Sequence, residues 1–161
     1  MGKSNGEKGK VTMIRVDVIE TAEPDVQALE DLKLYAAVTN PLQERLLLSA
    51  LKRAFMMVQR YADVCLLPGK YAVKADEHTG LVKTYMGGKA VMVLDGKGVP
   101  MSFSQRGSEV YVGTENYVEV QFVTMPNEAD YERLYPVVLK YATGIYDGLG
   151  LVELNQILKE C

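Results

Sequence analysis

The chain has no tryptophan, one histidine and two cysteines among its 161 residues. A disulfide framework cannot be built from Cys65 and Cys161 alone in a chain of this size, so a reducing compartment is expected. A metal centre needs several ligands converging at fixed spacing, and the single His78 stands in the loop Ala75–Gly80 beside Asp76 and Glu77. That setting reads as a solvated turn, and neither metal nor cofactor is expected. No apolar run approaches the ~18 residues of a membrane span. The polar N-terminus is no basic segment followed by an apolar run, so no secretory signal is expected. Charge of one sign is lacking too: 18 basic residues face 21 acidic ones, a net charge of −3. That balance argues against a dedicated nucleic-acid coat. What remains is 48 % apolar and 24 % charged residues, with ten tyrosines and eight methionines. This is the composition of an ordinary globular chain with one core.

The stretch that organises the chain runs from Asn40 to Leu66. Asn40 can cap a helix, Pro41 suits its first position, and Gln43 stands where a capping box needs it. Leu46, Leu47, Ala50, Leu51, Ala54, Val58, Tyr61, Ala62 and Cys65 recur at spacings of three and four, which puts them on one helical face. Glu44, Arg45, Ser49, Lys52, Arg53, Gln59, Arg60 and Asp63 fall largely elsewhere. Pro68-Gly69 is the expected stop, giving a rod of roughly 40 Å. Asp25 to Val38 reads as a shorter amphipathic helix, joined to the long one as a hairpin through Thr39-Asn40.

Upstream, residues 1–10 are polar and carry Lys3, Lys8 and Lys10, and read as a flexible arm. Val11 to Glu20 alternates as a half-buried strand or extended arm. Beyond Pro68-Gly69 the period turns strand-like at Lys70–Lys74, Leu81–Met86, Lys89–Leu94, Val99–Ser104, Glu109–Val112 and Tyr117–Thr124. Asp95-Gly96-Lys97-Gly98 is a strong turn, and Pro100 assigns its strand to an edge. Glu128 to Asp147 is a third helical stretch, which Pro136 either opens or interrupts. Leu151, Leu154, Ile157 and Leu158 recur at helical spacing in a last segment that one copy of the chain need not bury. The expected class is α+β, mainly helical: a helical hairpin with a long central helix, a small antiparallel β region and a C-terminal helix. The expected organisation is an arm over 1–10, one domain over 11–150 and an amphipathic extension over 151–161.

Little of this carries catalytic chemistry. Cys65 lies on an apolar face without a placed base, so an inert thiol is expected. Ser49, Ser102 and Ser104 lack a nucleophile-elbow setting. The Gly2-Lys3-Ser4 triplet follows no strand, and Gly87-Gly88-Lys89 and Gly96-Lys97-Gly98 are explained by hairpin turns. Acidic pairs such as Glu30-Asp31 and Glu128/Asp130 suit helix starts. Arg45, Lys52, Arg53 and Arg60 form a basic cluster at heptad spacing, read as a solvated face or as an interface to acidic residues of a neighbour.

The order of elements resembles the head–tail connector, or adaptor, family of tailed bacteriophages. Three stretches carry the likeness. In Ala28–Tyr71, Leu29, Glu30, Asp31, Leu32, Lys33 and Tyr35 are similar to the family's opening helix, and Tyr61 stands near the far end of its long helix. Val91–Val112 resembles a central strand, an Asp-Gly turn and a second strand ending in Tyr111-Val112. Val118–Gly148 resembles a strand leading to a Pro-x-x-Leu helix, here Pro136 and Leu139, which ends at Tyr146. The loop before the long helix, Thr39-Asn40-Pro41, and the Tyr146-Asp147-Gly148 ending depart from the family pattern. The resemblance implies a virion structural protein and not an enzyme. It implies a homo-oligomeric ring, commonly dodecameric, between the portal protein and a tail or stopper protein in the virion neck, assembled in the host cytoplasm. DNA would pass through its channel without sequence-specific binding, and no membrane is involved. Lys3, Lys8, Lys10, Arg45, Lys52, Arg53, Arg60, Leu151, Leu154, Ile157 and Leu158 are the candidate interface residues. Two other readings of the residues stand beside it: a small soluble α+β enzyme or ligand-binding domain, and a regulatory adaptor that binds one cellular protein through Met56 and Met57.

Overall fold

The structure, a computed structural model, describes residues 14–161. Among the described residues are four α-helices and eight strands. The class is α+β, with strands making up 28 % of those residues, which is too many for a mainly helical description. The added strand content comes from residues 69–124, where β-branched alternation between tight turns builds two sheets. The chain passes between two compact units. One is made of residues 14–20 and 69–123, the other of 21–68 and 124–161.

The second unit holds the helices α1 (Val26–Tyr35), α2 (Glu44–Ala62), α3 (Glu128–Tyr146) and α4 (Leu151–Leu158). The hairpin of α1 and α2 forms as expected, and α3 packs on both. Helix α2 is shorter than its sequence suggests. Asn40 does act as a cap, accepting from the Leu42 N–H at 2.9 Å, but it caps a 3-10 turn at Pro41–Gln43. Gln43 makes no capping bond. The helix proper spans 19 residues, about 28 Å at 1.5 Å per residue. It ends at Asp63, where the backbone turns left-handed (φ 54°), five residues before Pro68.

Gln59 explains that early stop. Its side chain is fully buried, not turned to solvent, and its Oε1 accepts from the N–H groups of Leu66 and Leu67, both at 2.8 Å. A side chain thus satisfies backbone donors that a longer helix would have used internally. The buried face of α2 is Leu47, Ala50, Leu51, Ala54, Phe55 and Val58. Leu46 and Tyr61, expected on it, are exposed. Phe55 takes the place at i+8 from Leu47, where its ring stacks on Tyr131 with centroids 6.1 Å apart.

Helix α3 starts at the Asn127 cap, whose side chain accepts from the Asp130 N–H at 3.2 Å, and runs through Pro136. It closes with two bonds, Gly148 N–H to Ile145 O at 3.0 Å and Leu149 N–H to Gly144 O at 2.9 Å. With Gly148 at φ 77°, that is a Schellman ending, and it folds the chain back into α4. Leu154, Ile157 and Leu158 are buried against α3 in the same chain, so the expectation that this segment stays uncovered in one copy is corrected. Gly144 makes this possible: a Cβ there would meet Leu154 at 2.9 Å and Leu149 at 3.0 Å.

The first unit carries both sheets. One has the order β1-β2-β8-β4-β5, from β1 (Ile14–Thr21), β2 (Gly69–Ala75), β8 (Val118–Thr124), β4 (Lys89–Asp95) and β5 (Pro100–Met101). The other has the order β3-β7-β6, from β3 (Leu81–Lys83), β7 (Glu109–Val112) and β6 (Phe103–Arg106). The run Val99–Ser104, read as one strand, is divided between the two sheets, and Pro100 does sit on an edge strand. Strand β3 stops at Lys83 because Met86 and Gly87 take positive φ, 56° and 67°. Strands β4 and β8 pair antiparallel, with Val93 opposite Val120, and a register shift between Ala90 and Met92 leaves Val91 exposed. Gln105 holds that irregularity: its Oε1 accepts from Ala90 N–H at 2.7 Å, and its Nε2 donates to Gly88 O at 3.0 Å and Gly107 O at 2.9 Å. No described helix is long and apolar enough to cross a membrane.

Candidate subunit interface

Several titratable groups make contacts that tie the chain to itself. Cys65 lies beyond the end of α2, where its buried thiol donates to Leu67 O at 3.2 Å. Burial pushes that thiol above its ordinary 9.0, so it stays protonated and a poor nucleophile. His78 is not merely solvated. Its Nε2 lies 2.6 Å from Asn116 O and its Nδ1 accepts from Gly80 N–H at 3.0 Å, so the ring ties its own loop to the one before β8. Asp31 joins α1 to α3, accepting from the Tyr135 hydroxyl at 2.6 Å and from Gln27 at 2.8 Å. Those bonds hold the carboxyl below its ordinary 3.8, and burial followed by the Asp31 bond drives the Tyr135 hydroxyl well above its ordinary 10.0. Among the described residues no three His, Cys, Asp or Glu side chains are grouped to hold a metal ion.

The candidate interface residues divide. Lys3, Lys8 and Lys10 lie outside the described residues. Arg45, Lys52, Arg53 and Arg60 are all exposed on α2. Lys52 is paired within its own chain, 2.8 Å from Glu23, whereas the three arginines make no ion pair among the described residues. On α4, Leu151 is 69 % exposed, but Leu154, Ile157 and Leu158 belong to the core. Those three are therefore no free surface.

The structure adds apolar surface that the helical pattern had assigned elsewhere. Leu42 is 83 % exposed and Leu46 58 % exposed. Leu46 lines a groove of about 420 Å³ between α2 and α3, with Gln43, Ser49, Arg53, Ile145 and Tyr146 around it. The Tyr146 hydroxyl donates to Gln43 Oε1 at 3.2 Å across the groove's end. Leu34 and Tyr35 at the end of α1, and Val152 beside Leu151, are exposed as well. Leu42 lies inside the stretch Asn40–Leu66 read as one helix, but off the apolar stripe counted there, and it sits in the 3-10 turn before α2.

No protein-family model matches the chain, and no curated protein matches it. Solved structures do share its fold. A chain from the neck of an empty GTA particle, computed with C6 symmetry, superposes with a TM-score of 0.58 at 16 % identity, over 83 % of this chain and 84 % of that one. A chain from the virion of a native gene transfer agent (GTA) particle superposes with a TM-score of 0.60 at 12 % identity, over 89 % and 93 %. At these identities the likeness is one of fold, and the fold is one that gene transfer agent particles use, in the first case within the neck.

Proposed function

We propose that this chain is a structural protein of the neck of a tailed, phage-like particle, a head–tail connector that assembles as a homo-oligomeric ring. The observation that carries the reading is the shared fold with a chain from the neck of a gene transfer agent particle. In this reading the ring stands between the portal and the tail or its stopper, in the virion, after assembly in the host cytoplasm. DNA passes through without sequence-specific contacts, because tight phosphate binding would hinder its movement. Six-fold symmetry, with which that neck was computed, suits a ring of twelve as well as one of six. Exposed Leu42, Leu46 and Leu151, and Arg45, Arg53 and Arg60, which make no ion pair among the described residues, supply apolar and charged surface for neighbours. The role is structural and not catalytic.

Native mass spectrometry over a concentration series, with and without portal-bearing particles, tests this. A closed high-order ring, free or on the portal, is the expected result. A monomer or dimer under every condition overturns the reading and returns attention to ligand binding.

A further inference from the structure

Helix α2 separates two surfaces of the helical unit. On one flank Phe55 stacks on Tyr131, and Lys52 lies 2.8 Å from Glu23. Tyr131 and Glu23 both line a second groove, of about 410 Å³, whose floor is the buried pair Leu66 and Leu67. Its rim also carries Asp25 and Glu128, which make no ion pair among the described residues. The negative field is felt inside: after burial, the Asp25 and Asp31 carboxylates push the Tyr131 hydroxyl above its ordinary 10.0.

The other flank of α2 carries a stripe of opposite character. Leu46, Arg53 and Arg60 recur every seven residues, so they line up along the helix, and at about 100° per residue they stand roughly 140–180° round from Phe55. All three are exposed, and neither arginine makes an ion pair among the described residues. The stripe faces away from Tyr131, so the chain's own arginines do not answer its own acidic groove. Set antiparallel on its twin, the stripe would bring Arg53 onto Arg53, which like charge opposes. A leucine followed by two arginines instead matches an apolar floor under carboxylates. We propose that the Leu46–Arg53–Arg60 stripe of one copy docks in the acidic-rimmed groove of the next, an inference that rests on the ring reading above. Leu46 covers Leu66 and Leu67, and Arg53, in the middle of the stripe, meets Glu128. Asp25 is already engaged as the cap of α1, accepting from Ala28 N–H at 2.8 Å, which leaves Glu128 the freer carboxylate. Stripe and groove lie on opposite flanks of one unit, so every copy offers both. That is a heterologous contact, the kind that closes rings.

Charge reversal in separate chains tests this, each variant being the full chain. Arg53→Glu and Glu128→Lys should each weaken self-association about three- to tenfold, read by sedimentation over a dilution series. Mixing the two variants in equal amounts should restore it, because the reversed stripe of one chain then meets the reversed groove of the other, and native stripe meets native groove. The milder Arg53→Gln and Glu128→Gln should weaken it about twofold each and no further when combined in one chain. A native chain that assembles overturns the docking and leaves the ring standing in any of three cases: the single reversals assemble as well as it does, their mixture does no better than either alone, or restoration needs both reversals in one chain. A native chain that never assembles overturns both.

Discussion

At Ala37 the backbone turns left-handed, φ 55°, to close α1. Ala37 N–H bonds to Leu34 O at 3.2 Å and Val38 N–H to Lys33 O at 2.9 Å, the same pair of bonds that Gly148 makes after α3. Glycine adopts this conformation without the Cβ cost that alanine bears. Ala37→Gly should therefore raise stability by about 0.5–1 kcal/mol, read in urea unfolding. Gly88 is the opposite case. A Cβ there would overlap the Phe122 ring, which stacks on Tyr71 at 5.5 Å in the core of the sheet unit. Gly88→Ala should destabilise by about 3 kcal/mol or more, since neither ring can retreat. Asp95 offers a pH test. Its carboxylate accepts from the N–H groups of Val99 and Lys97, which hold it below its ordinary 3.8. The folded form thus binds its proton less readily than the unfolded chain. The stability it contributes is present above the unfolded value and is lost as pH falls through the lower folded one. Asp17, bonded to Lys74, and Asp31, bonded to Tyr135, act in the same sense. Melting temperature should fall on acidification below about pH 4, and less steeply in Asp95→Asn.

Among the elements, α4 separates what periodicity can tell from what it cannot. The spacing of Leu151, Leu154, Ile157 and Leu158 announces a helix with an apolar side, and the helix is there. Whether its own chain covers that side depends on Gly144 and Gly148, which give the preceding helix its close approach and its ending, and the spacing within α4 does not encode either. The difference is measurable. Ile157→Ala should cost about 2–4 kcal/mol of unfolding free energy, while exposed Leu151→Ala should stay within about 0.5 kcal/mol. Equal, small effects would show that α4 does not pack as described. The same limit applies to α2. Its buried face was legible at Leu47, Ala50, Leu51, Ala54 and Val58, but not at Phe55, and its end was not legible. The stop is made by Gln59 reaching forward to Leu66 and Leu67, a tertiary use of a residue that reads as solvent-facing. In the β region the alternation read over Tyr117–Thr124 located β8 to within one residue, with Val118, Val120 and Phe122 buried. The division of Val99–Ser104 between two sheets depended on pairing partners, which alternation does not encode. For the interface, exposed Leu46 was hidden by its neighbours: one position before Leu47, it fits a generous stripe but falls outside the narrower face that α3 covers.

At the scale of the whole molecule, the question is why a small protein keeps large apolar side chains in water. Scattered ones need no reason, but Leu42 and Leu46 sit one helical turn apart, beside a groove that also presents Ile145 and Tyr146. Folding leaves these groups in solvent, so their removal should hardly touch the stability of a single copy. Association would bury them, and each leucine taken from water is worth about 1.5–3 kcal/mol. The double variant Leu42→Ser with Leu46→Ser should accordingly keep its melting temperature at low concentration and lose roughly a hundredfold or more in self-association, read by sedimentation across a dilution series. Raising salt separates the two contributions at this surface. Contacts made by Arg45, Arg53 and Arg60 to a neighbour's carboxylates weaken as ionic strength rises, whereas leucine burial does not. Assembly carried mainly by Leu42 and Leu46 should survive high salt in the native chain and fail in the double variant at any salt. If the variant assembles like the native chain, subunits meet at a surface other than Leu42 and Leu46.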